Sequence, residues 1–191
     1  MSKKSISILL LSLFILIIGA IFISFFVVSN SKTTVSTRAQ SYPPGFKQVV
    51  VASGLNQPTS MEIAPDGRTF VAEKGGALRV VKNGALVQNP FLTVSVKKDG
   101  ERGLLGVTVD PDFATNRFVY IYYTDDSRSV NRVVRYTADG SNPDIAMVGS
   151  ETVIMDNIPS QAGYHNGGAL HFGTDGKLYI AVGESHSSSN S

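Results

Sequence analysis

The chain has 191 residues, 17 Lys and Arg against 15 Asp and Glu for a net charge of +2, and no cysteine. That near balance, with no basic cluster interleaved with aromatics, argues against nucleic acid as a partner. Without disulfides, the fold must be held by a packed core.

Lys3 and Lys4 precede an uncharged run from Ile6 to Val28 built mainly of Ile, Leu, Phe and Val. A run of about 20 apolar residues matches a hydrocarbon core about 30 Å thick. It exceeds the apolar region of about 7–15 residues in a cleavable signal, and Val28-Ser29-Asn30-Ser31 is a poor cleavage site. Residues 1–28 therefore read as an uncleaved, single-pass membrane anchor, with a cleaved signal and a secreted product as the alternative. Residues 29–45 are Ser/Thr-rich, lack apolar periodicity and end in Pro43-Pro44-Gly45, which predicts a flexible tether. Residues 46–191 are then expected on the extracytoplasmic side.

From Phe46 the pattern changes to period two, with turn signals about every ten residues. Strands are predicted at 46–51, 60–64, 69–73 and 77–82, the last turned by Asn83-Gly84 into 85–87. No window carries a long capped 3.6-residue pattern, so helices should be few. A strand, an acidic turn and a returning strand then recur. The turns at Asp66, Asp112 and Asp175 lie 46 and 63 residues apart, close to the length of a propeller blade. The second unit continues through Asn131 to Tyr136. An all-β propeller explains this recurrence, since each four-stranded blade buries its faces only against its neighbours. The roughly three blades available fall short of the four to eight in a usual ring, so the chain reads as the N-terminal part of a longer protein.

Chemistry-bearing residues gather in three glycine-rich segments: Gly100 to Gly106, His165 to Gly168, and Gly183-Glu184-Ser185. A hairpin turned at Asp175-Gly176 brings its far ends together, which sets His165 beside Glu184 on one rim. Asn166 either holds the turn there or lines the site. His171 lies within a strand and His186 in a Ser-rich tail, so neither forms a metal cluster with His165. Met61, Met147 and Met155 read as core filler, and Asp125-Asp126 as a solvated turn.

Two stretches, GERGLLGVTVDPDFATNRFVYIYYT (100–124) and HNGGALHFGTDGKLYIAVGE (165–184), resemble the soluble quinoprotein glucose and sorbosone dehydrogenases. The resemblance runs from about Phe46 to Asn190. It implies a six-bladed β-propeller, about half of it present here, that uses pyrroloquinoline quinone (PQQ) and calcium. It makes His165 the general base that takes a proton from a sugar hydroxyl while the carbon-bound hydrogen leaves as hydride. Glu184 matches an aspartate that orients this base in glucose-oxidising members, and Glu101 matches a glutamine that touches sugar and cofactor. Asn166 joins Glu101 as a candidate cofactor contact. The family's calcium ligands and cofactor-binding arginine and lysine lie in later blades, so no metal ligand is expected here. What the resemblance implies is therefore an aldose or related alcohol dehydrogenase passing electrons to an unknown acceptor. The rivals are a non-catalytic propeller that binds a glycan or protein partner, and a calcium-dependent hydrolase on a similar propeller.

Overall fold

The computed structural model describes residues 42–160 and 163–185. The expected membrane anchor and most of the tether lie outside the described residues. Among the described residues, no helix is long and apolar enough to cross a membrane. The chain divides into two units, 1–48 and 49–191. In the first, the described residues make a turn in which Phe46 N–H donates to Pro43 O at 3.1 Å.

The described residues of the second unit form three antiparallel sheets. The first is β1 (Pro58–Ile63), β2 (Thr69–Glu73), β3 (Ala77–Lys82) and the short β4 (Ala85–Leu86), in that order, with β5 (Leu92–Thr93) also on β3. The β3–β4 turn follows from its residues. Asn83 and Gly84 take φ of 53° and 73°, the pair of positive values that a two-residue type I′ hairpin demands. The second sheet is a four-stranded meander of β6 (Leu104–Val109), β7 (Phe118–Thr124), β8 (Asn131–Thr137) and β9 (Thr152–Ile158). One helical turn, α1 (Phe113–Asn116), fills the β6–β7 connection. The third sheet pairs β10 (Gly167–Phe172) with β11 (Leu178–Val182).

Each sheet starts with the strand nearest its neighbours, as propeller blades do. Thr59 Oγ1 donates to Leu104 O at 2.7 Å, tying β1 to β6. Between β6 and β10 the backbones nearly touch: a Cβ on Gly106 would stand 1.9 Å from Gly168 O, so only glycine fits. Two apolar clusters fill the wedges. One joins Phe70, Leu78 and Val80 of the first sheet to Val107, Val119, Ile121 and Phe113 of the second. Phe70 meets Phe91 and Phe113 edge-on at 5.2 and 6.0 Å, and the buried Arg68 lies 5.3 Å from its ring centre. The other cluster joins Tyr120, Tyr122 and Val133 to Leu170 of the third sheet. The central strand β7 is buried on both faces because the first and third sheets pack on either side of it.

Two expectations need correction. Residues 46–51 form no strand. Val49, Val50 and Val51 are exposed, and among the described residues no strand pairs with the run. The methionines expected in the core are exposed: Met61 by 64%, Met147 and Met155 by 43% each. Met61 falls on the outward phase of β1, and Met155 lies on β9, the outermost strand of its sheet.

Candidate functional site

The hairpin β10–β11 pairs Gly167 with Val182, so the residues just beyond each strand meet. There Nδ1 of His165 hydrogen-bonds Oε1 of Glu184. His165 takes φ of 53°, a left-handed conformation uncommon outside glycine. Its backbone is held on both sides of that kink. His165 N–H donates to Glu101 Oε2 at 2.7 Å, and Ser185 N–H donates to His165 O at 3.1 Å. Gly183 permits the approach, since a Cβ there would lie 1.8 Å from His165 O.

Glu101 arrives from the segment before β6, which is laced to the segment before β10. Glu101 N–H donates to Gly163 O at 2.8 Å, and Lys74 Nζ donates to Gly100 O at 2.5 Å. The three segments singled out by their glycines thus converge on one rim, bringing His165, Glu184 and Glu101 together.

Asn166 sits differently. It is buried, and its Oδ1 accepts from Ser160 Oγ at 2.6 Å and from Asn131 Nδ2 at 3.1 Å. Its backbone oxygen accepts from Tyr122 OH at 2.8 Å. The amide oxygen therefore holds the turn, while the buried Nδ2 has no hydrogen-bond partner among the described residues. The roles of Ser160, Asn131 and Arg102 were missed in the sequence, where isolated polar residues at strand ends look like ordinary loop chemistry.

Electrostatically, the rim favours a protonated imidazole. The hydrogen bond to Glu184 raises the His165 pKa above its ordinary 6.5; desolvation opposes the rise, and the charges of Glu184 and then Glu101 add to it. When the ring is neutral, donating Nδ1–H to Glu184 puts the lone pair on Nε2. The result is an exposed imidazole fixed in orientation and tautomer by a carboxylate, which suits it to accept a proton.

His171 does not join this group. It lines a cleft of about 320 Å³ with Glu62, Thr108 and Asp110, near the other ends of β1, β6 and β10. Burial raises the pKa of Glu62 there, opposed by the charge of His171. Asp125 shapes its own turn, its Oδ1 accepting from Ser127 N–H and Arg128 N–H at 3.1 Å. Among the described residues, no three His, Cys, Asp or Glu side chains converge on a metal position.

Comparison with known proteins gives this geometry a context. Residues 55–191 match the profile of the Glucose / Sorbosone dehydrogenase family. An aldose sugar dehydrogenase from Streptomyces coelicolor, solved in its PQQ-bound form, is 33% identical with a TM-score of 0.66 over 74% of this chain and 42% of that one. A glucose dehydrogenase-like oxidoreductase from Thermus thermophilus is 34% identical with a TM-score of 0.64, over 72% and 41%. Quinoprotein glucose dehydrogenase B of Acinetobacter calcoaceticus is 29% identical over 79% of this chain and 33% of its own length. The mouse Hedgehog-interacting protein is 33% identical over 70% of this chain and 21% of its own. The chain thus spans well under half the length of these relatives. The three sheets are part of a β-propeller, and the chain belongs to the Glucose / Sorbosone dehydrogenase family.

Proposed function

We propose that the protein carrying this chain is a PQQ-dependent oxidoreductase that oxidises an aldose sugar or related alcohol, with His165 as its general base. The observation that carries this reading is the His165–Glu184 pair on a rim whose other carboxylate, Glu101, clamps the His165 backbone. His165 Nε2 takes the proton of the substrate hydroxyl, and the carbon-bound hydrogen leaves with its electron pair. Glu184 orients the ring and stabilises the imidazolium that forms. PQQ, when bound, supplies the two-electron acceptor, and calcium is its expected counter-ion.

These residues fit one side of such a site. PQQ carries three carboxylates, so its pocket needs cations or a divalent metal. At this rim Glu101 and Glu184 would repel it, and the described residues there offer Lys74 as a cation beside Gly100. The Asn166 Nδ2 donor is the feature that fits a cofactor contact. What these residues supply is proton handling and substrate orientation, and they do not by themselves hold a tricarboxylate.

A second reading is favoured by the relatedness to the Hedgehog-interacting protein: a propeller that binds a protein partner without catalysis. Reconstituting the intact protein with PQQ and calcium and assaying a panel of aldoses and alcohols separates the two. Turnover lost in His165→Ala supports the dehydrogenase. No turnover on any member of the panel, with PQQ failing to bind, favours the binding module.

A further inference from the structure

We infer that a buried polar chain running Arg102–Ser160–Asn166–Asn131–Thr124 positions His165, with Ser160 and Asn131 as its working members. The inference rests on the reading of His165 as the base. All five side chains are at least nine-tenths buried, and all five sit at strand ends on the His165 rim. Arg102 precedes β6, Thr124 ends β7, Asn131 starts β8, Ser160 follows β9 and Asn166 precedes β10.

The bonds run inward from both ends and converge on Asn166 Oδ1. Arg102 Nε donates to Ser160 Oγ at 3.0 Å, which frees the Ser160 hydroxyl proton for Asn166 Oδ1 at 2.6 Å. Asn131 Nδ2 adds a second donor to the same oxygen at 3.1 Å and bonds Pro159 O at 3.2 Å. Its own oxygen accepts from Thr124 Oγ1 at 2.6 Å. Arg102 is anchored in turn by Asp99 at 2.9 Å, two residues before Glu101.

Such a chain costs desolvation at every member, and an apolar plug of the same volume would be a simpler filling. What it provides is direction. Two donors converging on Asn166 Oδ1 set the residue next to His165, and Arg102 ties that residue to the segment whose Glu101 holds the His165 N–H. The left-handed turn at His165 is thereby fixed from both sides, and with it the aim of the ring at Glu184.

The test uses the intact protein, with His165 ring signals identified by their loss in His165→Gln. Ser160→Ala removes both bonds of the hydroxyl. Thr124→Val keeps shape and volume and removes one donor two links from Asn166. In Ser160→Ala the ring titration of His165 should move toward its ordinary value, and kcat should fall about tenfold with KM little changed. Thr124→Val should move both the same way by less. A titration and kcat unchanged in both variants would overturn the inference. If Ser160→Ala does not fold, Thr124→Val decides alone. Should His165→Ala retain turnover, the base assignment fails, yet the ring titration still reports whether the chain positions that histidine.

Discussion

Gly183→Ala is the sharpest probe of how the rim is built. Gly183 has no positive φ, so an alanine is acceptable to its own backbone. On that ground alone the change should be neutral, or stabilising by about 0.4–1 kcal/mol through the unfolded chain. The surroundings say otherwise. The added Cβ would lie 1.8 Å from His165 O and 2.4 Å from its carbon, where ordinary contact begins at 3.4 Å. Both nearest atoms are backbone, so no side chain can swing aside, and the two segments must part by about 1.6 Å. That separation breaks the Ser185 N–H to His165 O bond and carries the imidazole away from Glu184. Misplacement by about 1 Å can cost about 10²-fold, so kcat/KM for an aldose should drop by about that factor or more. The assay is steady-state turnover of the PQQ-loaded protein with the His165 ring titration beside it, and Gly75→Ala as control, since nothing lies within 4 Å of a Cβ there. Turnover within threefold of wild type and an unshifted titration would refute the reasoning.

Other perturbations separate charge from packing. In Glu184→Gln the His165 pKa should fall toward 6.5, because its largest raising influence is removed, and the acid limb of the activity profile should move to lower pH. The raised pKa also means the pairing stabilises the fold at low pH: the difference in Tm between wild type and Glu184→Gln should be widest below about pH 6.5 and close as pH rises past the native value. Glu101→Gln keeps an acceptor for His165 N–H and should chiefly alter which substrates are oxidised, whereas Glu101→Ala should also lower kcat, both read across a substrate panel. Phe70→Ala, in the wedge between the first two sheets, should cost about 3–5 kcal/mol in urea unfolding, and a loss under 1 kcal/mol would contradict the packing described.

Much of the architecture was legible because period two and acidic turns are local signals. Strands 69–73 and 77–82 and the Asn83-Gly84 hairpin could be read from adjacent residues alone. The meeting of His165 with Glu184 was legible for the same reason, since a hairpin fixes what its ends do. The strand β9 went unread, although the apolar run Val153-Ile154-Met155 between Gly149 and Pro159 was a usable signal. The error at 46–51 has the opposite origin. A β pattern states a capacity to pair, and pairing depends on a neighbour that composition does not supply. Glu101 as a clamp on the His165 backbone was beyond sequence reading, as were the partners of Asn166. Those bonds join residues 64, 35 and 6 positions apart across three loops, and nothing in the local pattern announces them.

The central claim is that His165 accepts the substrate proton, and the most direct test is kcat of His165→Ala in the PQQ- and calcium-loaded protein. A general base contributes about 10²–10⁴-fold, so turnover should fall by that factor while PQQ remains bound, and the acid limb set by the imidazole should vanish from the pH profile. Wild-type turnover with an unchanged acid limb would contradict the account and return His165 to the role of a turn residue.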